Sequence, residues 1–194
     1  MTTRRSFIAS VAVASAGCMA PPGLAASMPG RSAAHSDYLV DPRHAQAGDF
    51  STRAALAGGR VHSVSGDISS LWFRALRARA ADGQALAGLT CPTALFCLER
   101  LAWDHQMRVA FRIDHLRADG GHWRHVTVGR VPGAMMERFF AQGADFGATA
   151  FDAIARSAPS WSDATHAAPP AGTAELPSAP LTTWVIAPLS RAQS

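Results

Sequence analysis

Apolar and polar positions change period repeatedly along the chain, in short blocks that predict strands and helices in alternation. Tyr38-Leu39-Val40 is a brief apolar run closed by Asp41-Pro42, and Arg43 to Leu56 has helical composition up to a Gly58-Gly59 stop. Arg60-Val61-His62-Ser63-Val64 predicts a second strand, ended by Ser65-Gly66-Asp67, after which Ile68, Leu71, Trp72, Ala75 and Leu76 recur at helical spacing. The run from Ala85 to Leu89 receives no element of its own. It leads into Thr90 and Pro92, which are placed to open a helix through Leu95, Leu98, Ala102 and Trp103.

Farther on, Arg108 to Leu116 and His122 to Val128 flank Ala118-Asp119-Gly120-Gly121, a hairpin signal. With Asp119-Gly120 as the two-residue turn, Val109, Phe111 and Ile113 share a face with Val126 and Val128. Arg112, Asp114, His125 and Thr127 then take the opposite, solvent face. A helix from about Pro132 to Ser157, broken near Gly143 or Gly147, presents Met135, Met136, Phe139, Phe140, Phe146 and Phe151 as an apolar surface. Residues 159–180 are rich in Pro, Ala, Ser and Thr and read as an irregular loop, and Leu181 to Ala187 is a last strand. The sum is an α/β fold over 37–194: a single layered domain, a mixed sheet with packed helices and one β-hairpin.

The opening, Thr3-Arg4-Arg5-Ser6-Phe7-Ile8-Ala9, followed by a weakly hydrophobic run and Pro21-Pro22, resembles a twin-arginine (Tat) signal peptide over 1–26, with a flexible tether at 27–36. The resemblance implies passage through the Tat translocase in the folded state and a periplasmic location. Cleavage near Ala25 or Ala26 would release a soluble protein, and lipid attachment at Cys18 would tether it to the membrane. Ser15, where a lipobox has Leu, favours release.

Composition limits the partners. The 194 residues suffice for one domain with a real core, and 18 basic residues face 14 acidic ones. Once Arg4 and Arg5 leave with the signal the balance is close to neutral, and no basic stripe for nucleic acid remains.

Candidate chemistry is sparse. Asp41 and Asp67 end two strands where open α/β sheets place ligands, so with Arg43 and Thr90 they form the expected ligand-binding edge. Against this stand capping by Asp67 and an ion pair from Arg43. Cys91 sits at a helix start, where backbone N–H groups and the helix dipole favour a thiolate; as a nucleophile it needs a base such as His62 or His105. Cys97 is too far along to pair with it if both are helical, whereas a helix that begins after Pro92, with Cys91 folded back, would let the two be joined in an oxidising periplasm. His115, His122, His125 and Asp114 cluster in sequence, but the derived register divides them between two faces, so no metal site is expected.

No cofactor or nucleophile motif is present. The expectation is therefore a non-catalytic accessory or binding partner of a cofactor-bearing periplasmic redox enzyme. The alternative is a small hydrolase or transferase using Cys91 or the Asp67 edge.

Overall fold

The computed structural model describes residues 37–117, 121–128, 133–157 and 181–189. The Tat-like segment with Arg4, Arg5 and Cys18, the tether at 27–36, the hairpin turn at 118–120 and the loop at 159–180 lie outside the described residues. A mixed six-stranded sheet, ordered β2-β1-β3-β6-β4-β5, organises the domain, in agreement with the α/β expectation. Its strands are β1 (Asp37–Val40), β2 (Arg60–Ser63), β3 (Leu86–Thr90), β4 (Met107–Arg117), β5 (Trp123–Val128) and β6 (Leu181–Pro188). Strands β1, β2 and β3 run parallel, whereas β6 is antiparallel to both β3 and β4, and β5 is antiparallel to β4.

Helices cover both faces. On one face α1 (Gln46–Leu56), α5 (Gly133–Gln142) and α6 (Gly147–Arg156) enclose Tyr38, Phe50, Phe139, Phe146 and Ile154. On the other, α2 (Ile68–Leu71) runs through a π-helical turn at Trp72–Leu76 into α3 (Arg77–Ala81). These pack with α4 (Pro92–Trp103) around Leu39, Trp72, Leu98 and Trp184. The expected helix break falls at Gly143, whose φ of 57° suits a residue without a Cβ.

Two expectations are corrected. The run after Gly83 is a central strand, β3, all five of whose residues are buried. Strands covered on both faces lose the alternation that announces a strand, and Leu86-Ala87-Gly88-Leu89-Thr90 shows only a continuous apolar run. The hairpin is also shifted by one residue: Asp114 pairs with Val126 and His115 with His125. Phe111 and Ile113 therefore share their face with His125 and Thr127 rather than with Val126 and Val128. A bulge between Val109 and Phe111 sends Val109 to the opposite core.

Gly88 explains how the central strands approach one another. A Cβ there would meet the Leu39 carbonyl and stand 2.8 Å from the Trp184 ring. That ring is fully buried, and its indole N–H donates to Thr90 Oγ1 at 2.9 Å. At the amino edge, Asp37, 2% exposed, draws in His62 (2.8 Å), Arg60 (3.4 Å) and Arg79 (3.7 Å), joining β1, β2 and α3.

Replacing Gly88 by Ala is expected to lower the stability by about 2 kcal/mol, because the obstacle includes backbone. Asp37→Ala should cost about 1–2 kcal/mol by removing the buried carboxylate that His62, Arg60 and Arg79 share. Equilibrium denaturation of each variant, without change in m-value, checks both.

Candidate functional site

The site follows from topology. Chain leaving β1 enters α1 on one face of the sheet, and chain leaving β3 enters α4 on the other, although β1 and β3 are parallel neighbours. Diverging exits at one edge open a crevice at the carboxyl ends of the two strands. Asp41, Arg43, His44, Thr90 and Cys91 all lie at these exits.

Asp41 anchors the group. Its side chain is fully buried, its backbone N–H donates to the Leu89 carbonyl at 3.0 Å, and its carboxylate accepts from Arg43 Nε at 2.8 Å and Nη2 at 2.6 Å. The Arg43 backbone N–H adds a third bond to the same carboxylate at 3.1 Å. Such a bidentate pair orients a guanidinium firmly. The hydrogen bonds from Arg43 hold the Asp41 carboxyl below the usual carboxylate range, against the effect of its burial.

Arg43 itself stays 68% exposed, and the same Asp41 contacts raise its pKa further above the usual guanidinium value. Cys91 lies close enough to add a smaller contribution in the same direction. His44, which the sequence reading did not single out, brings Nε2 to 3.8 Å from Asp41 Oδ2. Its position three residues after Asp41, at the entrance to a helix, was the available signal.

Cys91 is the N-cap residue of α4 and is partly exposed, with Pro92 at the first helical position. Cys91 and Cys97 are both free thiols. Neither base considered for Cys91 is beside it. His62 is bound to Asp37 at the opposite edge of the sheet, and His105 packs on Trp72 beyond the far end of α4, a helix about 18 Å long. Thr90 Oγ1 is occupied, accepting from the Trp184 indole and donating to the Cys91 carbonyl at 3.2 Å.

Asp67 stands apart from this group, at the end of β2. It caps α2, accepting from the Ser69 and Ser70 N–H groups at 2.9 and 3.2 Å and from Ser70 Oγ at 2.7 Å. These bonds lower its pKa. The adjoining cavity, about 180 Å³, is lined by Ser63, Ser65, Gly66, Asp67, Leu71 and Arg74 among others. The edge thus brings together Asp41, Arg43, Thr90 and Cys91, with Asp67 in a neighbouring hollow as a capping residue.

The arrangement suits the holding of an anion. Arg43 keeps guanidinium N–H groups beyond the two that Asp41 uses, and its neighbour Cys91 is the N-cap residue of α4, where the helix dipole is positive. Among the described residues no group of three or more His, Cys, Asp or Glu is spaced to hold a metal ion. The hairpin histidines, expected on opposite faces, instead meet: His115 Nδ1 and His125 Nδ1 are 2.7 Å apart.

Because Asp41 has a lowered folded pKa, its pairing with Arg43 contributes stability at neutral pH, above the ordinary carboxylate range. That contribution is lost as pH falls through the folded value. Arg43→Gln is therefore expected to be less stable than the parent at about pH 7, with the gap closing below about pH 3, in paired denaturation curves. A gap independent of pH would contradict the anchoring role given to Asp41.

No family model matches the chain, and no curated protein or solved structure matches it significantly, so its reading rests on the geometry of this edge.

Proposed function

We propose that the protein is an exported, non-catalytic accessory or binding component that works with a cofactor-bearing redox enzyme of the periplasm, and that the β1–β3 crevice receives an anionic group of that partner or its ligand. The observation that carries this reading is Arg43, exposed yet held in place by both oxygens of a buried carboxylate. A fixed guanidinium with spare donors suits a planar carboxylate or a phosphate. His62 and His105 are engaged elsewhere, which leaves His44 as the imidazole that shares the crevice with Cys91. Export is proposed from the Thr3-Arg4-Arg5 resemblance, with release from the membrane unless Cys18 is lipidated. Among the described residues no helix is long and apolar enough to cross a membrane.

A second reading, a small hydrolase or transferase using Cys91, is favoured by one observation: the thiol lies at the start of α4 with Arg43 beside it. The two readings separate in one experiment. Gentle affinity recovery of the tagged full-length protein from its native envelope is expected to bring a flavin-, haem- or molybdenum-bearing chain in fixed ratio. Arg43→Gln should weaken that association by roughly 30-fold or more, the usual consequence of removing one side of a charged contact, while Cys91→Ser leaves it unchanged. Recovery of the protein alone, with Cys91 alkylated much faster than Cys97 near neutral pH, would instead favour the thiol chemistry.

A further inference from the structure

The one-residue shift of the hairpin seals two imidazoles under α5. His115 is fully buried and His125 is 5% exposed. Their rings lie in an aromatic enclosure. His115 stacks on Phe146 with centroids 4.3 Å apart, His125 lies 5.0 Å from Phe139, and Phe139 is also 5.5 Å from His115. Phe140 closes on His125 from the same helix at 6.1 Å.

Hydrogen-bond accounting restricts the protonation states. The Nδ1–Nδ1 separation of 2.7 Å requires one nitrogen to donate and the other to accept. His115 Nε2 lies 2.7 Å from Thr183 Oγ1, whose hydroxyl can donate or accept. Let His125 Nδ1–H donate to His115 Nδ1. His115 then carries its proton on Nε2 and donates it to Thr183, and His125 Nε2 is left as a bare lone pair. The opposite tautomer places an N–H at His125 Nε2, which is buried without a hydrogen-bond partner. The first arrangement pairs both imidazole protons and is the form we assign to the neutral pair.

A proton added to this pair has one free nitrogen to occupy, His125 Nε2, and there it creates a cation with an unpaired N–H among phenylalanines. Nearby charges offer no relief. On β4 stand Asp114 and Arg117, and Asp114 is committed to Arg112 on the other face. His122 and Arg124 flank the pair at the start of β5, Thr183 is its neighbour on β6, α5 carries Glu137 and Arg138, and Asp145 precedes α6. Arg138 is directed to Asp152 of α6. Among the described residues no ion pair joins any of these to either imidazole.

We propose that the His115–His125 pair is an acid-operated latch on α5: neutral, it holds the helix closed over the hairpin, and uptake of a proton frees the helix so that water can reach His125 Nε2. The inference rests on this geometry and is independent of the proposed function. Its direction agrees with the electrostatics. Burial, joined at His115 by repulsion from its partner, lowers both histidines, His115 well below the usual range and His125 to about 4. The neutral pair therefore stabilises the closed form fully above about pH 6.5, where the unfolded histidines are also neutral, and progressively less as pH falls toward 4.

Hydrogen exchange of the full chain, corrected for intrinsic rates, tests the latch. Between about pH 7 and pH 4.5 the amides of α5 are expected to lose roughly tenfold or more of their protection while those of β1 and β3 keep theirs. His125→Phe, which extends the aromatic enclosure and removes the nitrogen open to the added proton, should make the loss of α5 protection over the same range several-fold smaller, the remainder being due to His115. Loss of α5 and β3 protection together, or an unchanged response in His125→Phe, overturns the latch. Should that variant fail to fold, imidazole NMR titration of the parent decides: both rings titrating in the ordinary histidine range with α5 still protected also overturns it.

Discussion

The structure depends on the hydrogen-bonding of β6 along both of its edges. On one side it pairs antiparallel with β3, the last of three parallel strands, and on the other antiparallel with β4, the first strand of the hairpin. Without β6 the described residues would form a parallel three-stranded half and a hairpin, each with an open edge that must find a partner. Its alternate side chains serve the two cores separately: Leu181, Val185 and Ala187 face α1, α5 and α6, while Trp184 and Ile186 face α2, α3 and α4. Gly88 is the counterpart on β3, for its missing side chain is the space the Trp184 ring fills.

Most of the fold was legible where one pattern dominated. The strand, helix, strand opening, the helix after Cys91, the interruption at Gly143 and the final β-prone segment followed from short-range periodicity and from glycine or proline punctuation. The strand Leu86–Thr90 did not, because burial on both faces removes the polar positions on which a strand assignment relies. The hairpin was recognised but not its register, since turn residues announce that two strands meet and leave a one-residue offset open. That offset decides which side chains share a face, and it turned His115 and His125 from separated groups into a buried pair.

The candidate site was legible as a list and less so as an arrangement. Asp41 and Arg43 are close in sequence, so their pairing could be weighed as one alternative. Their meeting with Cys91 requires β1 and β3 to be neighbours, which no local pattern specifies. Asp67 and Thr90 answered to nearby bonding, one capping a helix and the other accepting from an indole, and these bonds occupy them. Strand β1 then has a buried carboxylate at its start, Asp37, and another just past its end, Asp41. The first gathers cations that stitch the amino edge, and the second holds a single arginine that remains open to solvent.

The position of β6 in the chain has a kinetic meaning. Of the six described strands it is the last in the chain, yet it lies inside the sheet rather than at a margin. A growing chain can form its parallel half and its hairpin early, but the contacts that join them must await this late segment, across a large sequence separation. Until β6 pairs, the parallel half and the hairpin each keep an exposed strand edge, so one late segment governs both the closing of the sheet and the protection of its interior edges.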